Sequence, residues 1–273
     1  MTWQGRVLAV VLIVASSMSE CRVPADATPF RIKIRSQEFN QCAAACGNRV
    51  AATDLAIFFV NDGFRGTQKA DTLALVETCL ADALRVSQET GFPGPGFWHA
   101  RTVSSCPVVP GWGRAWGNAS FVVGIGTQTY GVGYGSQHPQ DAPETRGLAC
   151  SRGQTFIGPL VSCATHLTAR SSAIARDQAF DFAVATAFNP ISNASFRVMA
   201  GDYNLTPSQL PSVFASSFTA LATSSTFPSP SPTKKIDYVH VQNPNVTVQW
   251  PARYCSFSAS SVSDHCYVDG SYD

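Results

Sequence analysis

The sequence has almost no excess of charge of either sign. Nineteen lysines and arginines stand against 18 aspartates and glutamates, a formal net charge of +1, and charged residues are only 14% of the 273. No global field steers the chain toward nucleic acid or an anionic membrane, so any basic contact surface must be local. The apolar stretch Val7–Val14 is too short to span a bilayer, and no stable membrane insertion is expected. With Arg6 ahead of it and Ala15, Ser16 and Ser17 behind it, the stretch fits a secretory signal peptide, 1–24, on a soluble, secreted product. Cys21 does not make a lipoprotein signal, because Glu20 stands where a small residue is wanted. Pair-plus-pair cysteine spacing is lacking, which discounts a zinc site. No internal repeat stands out.

What is present suits one compact domain over residues 25–273, long enough to bury a substantial core and expected as a monomer. Eight cysteines beyond Cys21, an even number behind a signal peptide, predict disulfides. Short separations make Cys150 with Cys163 and Cys255 with Cys266 plausible pairs, each stabilising by about 2–4 kcal/mol. Pairing among Cys42, Cys46, Cys79 and Cys106 stays open. The alternation in FRIKIRS predicts a strand with one buried face, and a helix follows with Ala51, Leu55, Phe58 and Phe59 on one side. DTLALVE reads as a buried strand and TCLADALRVSQETG as a helix stopped by Gly91. From Phe92 to Gly117 the Gly, Pro and Trp content predicts an exposed loop region. NASFVVGIG and GQTFIGPLVSCATHL resume strand character. RSSAIARDQAFDFAVATAF reads as a helix with Phe180, Val184, Ala187 and Phe188 on its apolar face. SFRVMAG, KIDYVHVQ and a segment after SVSDH are further strands, with a Pro/Ser loop at SSTFPSPSPTKK. Strands interleaved with helices indicate an α/β protein.

Polar residues collect where the apolar strands end: Asn40 in QEFNQC, Glu77 in LALVETC, His166 in ATHL, Asp202 and Asn204 in AGDYNLTP, Asp237 in KIDYV, and Asp264 with His265 in SDH. Burying such groups unpaired would cost several kcal/mol, so they must serve a metal, one another or a ligand. Asp202 and Asn204 flank Tyr203, so on an extended segment both point the same way and can share one ligand.

In this order the segments resemble the endonuclease/exonuclease/phosphatase superfamily, the deoxyribonuclease I-like fold. Its pattern is an Asn after the first strand, a Glu after a later one, a Thr-His-Leu strand end, Gly-Asp-x-Asn, Ile-Asp-x-Val and a terminal Ser-Asp-His. Each has a match between residues 31 and 268. The resemblance implies a four-layered α/β/β/α sandwich with one site at the loop ends of its two sheets. It implies Glu77 as the principal Mg²⁺ ligand, Asn40 beside it and Asp264 completing the site, with Mn²⁺ or Ca²⁺ as alternatives. Few carboxylates plus several waters is how Mg²⁺ is usually held. Asp237 would hydrogen-bond His265; Asp202, aided by His265, would align and deprotonate a water; Asn204 and His166 would donate to phosphate oxygens. Which of Asp202 and His265 takes the proton stays open. A phosphodiester is anionic, so its hydrolysis needs a cation, an aligned water and donors where negative charge grows, and this set supplies all three. Val76 departs from the family, in which a Gln usually precedes the Glu. Gln88 and Glu89 form such a pair but end a predicted helix, and they are rejected as the metal site.

The reading is a secreted, metal-dependent phosphodiesterase acting on nucleic acid, a DNA endonuclease. Arg146 in ETRGLAC and Arg114 are the candidates for gripping flanking phosphates. The alternative is a phospholipid or phosphomonoester hydrolase of the same fold, with Trp112 and Trp116 in CPVVPGWGRAW entering lipid, although loop aromatics, Trp98 included, more often pin a loop to the body. A catalytically silent binding module is the reading from another class, opposed by the complete acid and histidine set. His99, His138 and His240 lack such company and are assigned no function. Asn118, Asn193, Asn204 and Asn245 head glycosylation sequons, and modification of Asn204 would block the site.

Overall fold

The first strand, β1 (Ile34–Asn40), is buried along its whole length, more than the alternation of FRIKIRS predicts. Layering is the reason. Phe39 packs toward α1 (Arg49–Asn61), and Gln37 Nε2 donates to Phe59 O at 3.0 Å, while Ile34 packs toward a second sheet. Ser36, Glu38 and Asn40 therefore share the inner face with Ile34. The computed structural model describes residues 34–41, 48–61, 69–156, 158–188, 191, 193–242, 247–248, 252–255 and 262–272. The signal segment, Cys42, Cys46 and Asn245 lie outside them.

Along the chain follow β2 (Thr72–Cys79), α2 (Leu80–Thr90), β3 (Gly96–Thr102), β4 (Ala115–Val122), β5 (Ile125–Gly133), β6 (Gly147–Thr155), β7 (Gly158–His166), α3 (Ser172–Phe188), β8 (Phe196–Asp202), α4 (Ser212–Ser217), β9 (Thr219–Ala220), β10 (Asp237–Val241), β11 (Ala252–Tyr254) and β12 (Tyr267–Tyr272). One sheet has the order β11-β12-β1-β2-β4-β3 and the other β5-β6-β7-β8-β10-β9. Both are mixed, with β1 parallel to β2 and β7 parallel to β8. Helices α1 and α2 cover the first sheet through Ala52, Ala56, Phe59, Ala83 and Val86; α3 and α4 cover the second through Ala175, Ala179, Phe182 and Phe214. Between the sheets lies a third core with Ala74, Leu160, Ala164, Val198, Ala200, Val239 and Val268. The layers are α/β/β/α.

Residues 92–117, expected from their composition to be a loop region, hold strand β3 and the first three residues of β4, while 92–95 and 103–114 run outside the strands. Gly111 and Gly113 are left-handed turn glycines, whereas Gly96 and Gly117 serve close approach of backbones. A Cβ on Gly117 would lie 1.8 Å from Trp98 O, and one on Gly147, in the facing sheet, would lie 2.5 Å from the Trp98 ring. Trp98 and Trp116 are thus strand residues. The buried helix faces also differ from the expected ones. In α1 the sheet takes Ala52, Ala56, Phe59 and Val60, leaving Phe58 exposed; in α3 it takes Ala175, Ala179, Phe182 and Ala183, leaving Phe180 and Val184 exposed. Both helices are apolar on several sides, so periodicity does not choose a face; small residues let the helix approach the sheet.

Side-chain hydrogen bonds tie the sheets together: Ser120 Oγ donates to Ser162 O (2.6 Å), Ser151 Oγ to Ser120 O (2.7 Å) and Asn118 Nδ2 to Gly147 O (3.3 Å). Asn118 is buried and unavailable as a glycosylation acceptor. Cys150 and Cys163 sit opposite each other on β6 and β7 and are bonded, as are Cys255 and Cys266; Cys79 pairs with Cys106. On β1, Arg35 donates from Nε to Asp269 Oδ1 (3.0 Å) and from Nη2 to Oδ2 (2.6 Å), both residues being buried. Arg35→Leu leaves the Asp269 charge without this partner and is expected to destabilise by about 3 kcal/mol. A urea midpoint within error of the parent would refute that.

Candidate active site

Period-2 geometry carries the predicted residues to one place. On the inner faces, Asn40 continues the row of Ile34, His166 that of Leu160 and Ala164, Asp202 that of Val198 and Ala200, and Asp237 that of Val239 and Val241. Asp202 and Asp237 are direct partners across the antiparallel β8–β10 pair. Glu77 needs more. Its strand-mate Leu75 faces the helices, so a regular pleat would aim Glu77 the same way. A register irregularity between Leu75 and Thr78 and a left-handed backbone at Glu77 (φ 52°) turn it instead toward His166. Asn204 is also left-handed (φ 51°), so the extended geometry expected at AGDYNLTP stops at Tyr203. The N–H of Asn204 donates to Asp202 Oδ1 (2.8 Å), closing an Asx turn, and its Nδ2 donates to Leu167 O (2.9 Å).

Asp202 Oδ2 is the hub. Asn40 Nδ2 lies 3.4 Å from it, His166 Nε2 3.7 Å and His265 Nε2 3.7 Å. His265 Nδ1 donates to Asp237 at 2.9 Å, His166 Nδ1 stands 3.5 Å from Glu77 Oε1, and Asp264 Oδ1 lies 3.7 Å from His265 Nε2. Burial opposes the charge of His265, but Asp237, with Asp202 and Asp264, holds it well above the usual histidine value, so the ring is a cation. Burial and the Arg146 charge keep His166 well below that value, so it is neutral with one N–H to donate. Burial, reinforced by the Asp237 charge, pushes the Asp202 carboxyl up to about 7. Burial likewise pushes Glu77 up to about 7, against the charge of His265 and with that of Glu144.

The model of a family described as "Endonuclease/Exonuclease/phosphatase family" matches residues 46–265. The chain belongs to the endonuclease/exonuclease/phosphatase family. No curated protein matches it in sequence. Solved structures share the fold. A family protein from Bacteroides vulgatus has a TM-score of 0.63 at 14% identity, covering 89% of this chain and 99% of its own. D. rerio TDP2, complexed with a single-strand DNA product, has 0.62 at 13% identity, covering 88% and 99%. The Bacteroides thetaiotaomicron mannosyl-6-phosphatase Bt3783 has 0.59 at 14% identity, covering 88% and 99%.

Enzymes of the endonuclease/exonuclease/phosphatase family generally depend on a divalent metal, and two donor sets here bear on one. Asp202, Asp237 and His265 offer ligand atoms within 4.8 Å of one another. A charged imidazole already donating to Asp237 is a hydrogen-bonding partner, not a metal ligand. The set of Glu77, Asn40 and Asp264 fits a hard cation better: two carboxylates and an amide, with His166 Nδ1 beside Glu77 buried and without a hydrogen bond among the described residues. Gln88 and Glu89 lie away from this set near the C-terminal end of α2, Glu89 paired with Arg85 on the surface.

Arg146 is buried at the rim, its Nη1 2.7 Å from Glu144 Oε1. Arg114 points elsewhere: its Nη1 donates to Ser104 O and Cys106 O, bracing the 103–114 loop. Trp116 is buried beside Cys79 and Cys106, which removes it as a lipid anchor, and Trp112 packs edge-on against Phe97. His240 is stacked on Tyr203 and Tyr238, a core residue. Sequence reasoning passed over three supports. Ser263 Oγ accepts from His265 N (3.0 Å) and donates to Asn40 O (2.7 Å), and the Phe227 ring lies 4.8 Å from the His265 ring. Glu38, fully buried two residues before Asn40 on the same face, is held as a neutral acid by burial and the Asp237 charge. The period of β1 in QEFN was the signal that could have found it.

Proposed function

We propose that the protein is a secreted, metal-dependent phosphodiesterase that cleaves nucleic acid internally, with DNA as its substrate and Mg²⁺ as the metal. One observation carries the reading: Asp202 Oδ2 meets Asn40, His166 and His265 within 3.4–3.7 Å, with Asp237 behind His265. A carboxyl near 7 suits proton transfer at neutral pH, whereas a charged His265 cannot accept a proton. Asp202 therefore aligns and deprotonates the attacking water. His265 then stabilises the negative charge beside it, and Asp237 fixes the ring. His166, and Asn204 through the amide hydrogen not given to Leu167, donate to phosphate oxygens. A divalent cation at Glu77, Asn40 and Asp264 would neutralise charge on the substrate.

A TDP2 solved with a single-strand DNA product shares the fold and supports a nucleic acid; the mannosyl-6-phosphatase makes a phosphomonoester the competing substrate. Three disulfides among the described residues suit an oxidising compartment, and no described helix is long and apolar enough to cross a membrane. The test is nicking of supercoiled plasmid by the mature protein with Mg²⁺, with EDTA and Asp202→Ala as controls. Nicking that needs the metal and Asp202 is the expected result; hydrolysis of a phosphomonoester alone would overturn the nuclease reading.

A further inference from the structure

Residues 144–146 bridge the two sheets beside the site. Thr145 N donates to Ala100 O on β3 (3.0 Å), Thr145 O accepts from Trp98 Nε1 (3.1 Å), and Arg146 N donates to Gln137 Oε1 (2.8 Å). This crossing brings Glu144 between two arginines, Arg101 on β3 and Arg146 in the segment that leads into β6 of the other sheet. One oxygen, Oε1, lies 2.7 Å from Arg146 Nη1; the other, Oε2, lies 3.8 Å from Arg101 Nε. Each arginine also has a hold that does not involve Glu144. Arg146 Nε faces Asp141 Oδ2 at 3.5 Å, and the Arg101 guanidinium lies 4.8 Å over the Trp116 ring. Taking Glu144 away would leave both cations supported and without the carboxylate they share.

Two guanidiniums around one carboxylate are matched to an anion with several acceptor oxygens, and phosphate is the anion arginine pairs best suit. The trio adjoins the reacting centre: Leu148 pairs with Thr165, which sets the residues ahead of β6 beside the His166 end of β7, and the charges of Glu144 and Arg146 bear on Glu77. A single reacting phosphate is already served by His166, Asn204 and a cation. A second anion site next to it is of use only to a substrate with phosphates in series.

We propose that Arg101 and Arg146 form a subsite for a non-scissile phosphate of a polynucleotide, and that Glu144 occupies this subsite in the free protein and leaves it when substrate binds. The proposal rests on the nucleic-acid reading above. Burial already disfavours the charge of Glu144, which makes its displacement easier.

The experiment compares the parent, Arg101→Gln and Glu144→Gln on two substrates with Mg²⁺: bis(4-nitrophenyl) phosphate, which has one phosphate, and a short single-stranded oligonucleotide. Arg101→Gln is expected to raise KM for the oligonucleotide roughly tenfold, several times more than for the small diester. It should flatten the dependence of log kcat/KM on log salt by about 0.7. Glu144→Gln is expected to lower the oligonucleotide KM severalfold, because the internal competitor is gone. A higher oligonucleotide KM in Glu144→Gln would make Glu144 a brace for Arg146 and overturn the proposal, as would equal effects of Arg101→Gln on both substrates. Hydrolysis of the small diester but not of the oligonucleotide by the parent would overturn the nucleic-acid reading and the subsite with it. Should Glu144→Gln fail to fold, the partly exposed Arg101 keeps the comparison decisive.

Discussion

Asp202→Asn is expected to lower kcat on a phosphodiester by about a hundredfold to ten-thousandfold and at the same time to raise the melting temperature. The substitution keeps an oxygen to accept the Asn204 N–H and removes only the charge and the basicity. In the parent, Asp202 sits directly across from Asp237, buried, and the two like charges disfavour one another. The sign follows from the carboxyl lying near 7 in the folded state, above its ordinary range. The folded protein then holds a proton that the unfolded chain has released, so this group's contribution is present below the ordinary carboxylate range and is lost as pH rises through about 7. The gain in stability of Asp202→Asn should therefore be small at pH 5 and full at pH 8. Thermal unfolding at both pH values, with steady-state kinetics, checks it. Loss of activity together with loss of stability would mean that Asp202 holds the fold rather than takes the proton.

A divalent cation should stabilise the protein much more at pH 8 than at pH 5, and Glu77→Gln should abolish the difference along with activity. Without a cation, raising Glu77 to about 7 costs stability as pH climbs through that value, on the order of 3 kcal/mol when complete. Protons and cation compete for the same carboxylate, so binding tightens as the proton leaves. Titrating Mg²⁺, Mn²⁺ and Ca²⁺ against the unfolding temperature reads this without any substrate. Equal stabilisation of parent and Glu77→Gln would place the cation elsewhere, and the group of Asp202, Asp237 and His265 would be the next to test.

The candidate acids, histidines and amides were legible in the sequence because each lies beside one end of an apolar strand: Asp237 opens β10, Asp264 and His265 stand just ahead of β12, and the others lie at or near the end of a strand or just after it. Four of them, Asn40, His166, Asp202 and Asp237, needed only the period of two to be placed on a shared face. The helix faces were less legible. Phe180 and Val184 look like core by composition yet are exposed, because α3 approaches its sheet through alanines. Within residues 92–117 the strand residues were hidden for a related reason, since glycines such as Gly96 and Gly117 mark close packing of backbones as well as turns.

The sequence by itself determined the family, the order of strand ends and the chemical types that meet there, since these depend on residue identity and local period. Only the tertiary structure decided three things. It turned Glu77 out of its pleat toward His166, it put Asp202 opposite Asp237 so that one carboxyl is held near 7, and it brought Arg101 of one sheet to Glu144 and Arg146, which lead into the other. Each depends on which strands become neighbours and which faces meet, and contacts between segments so far apart in the chain leave no local pattern to read.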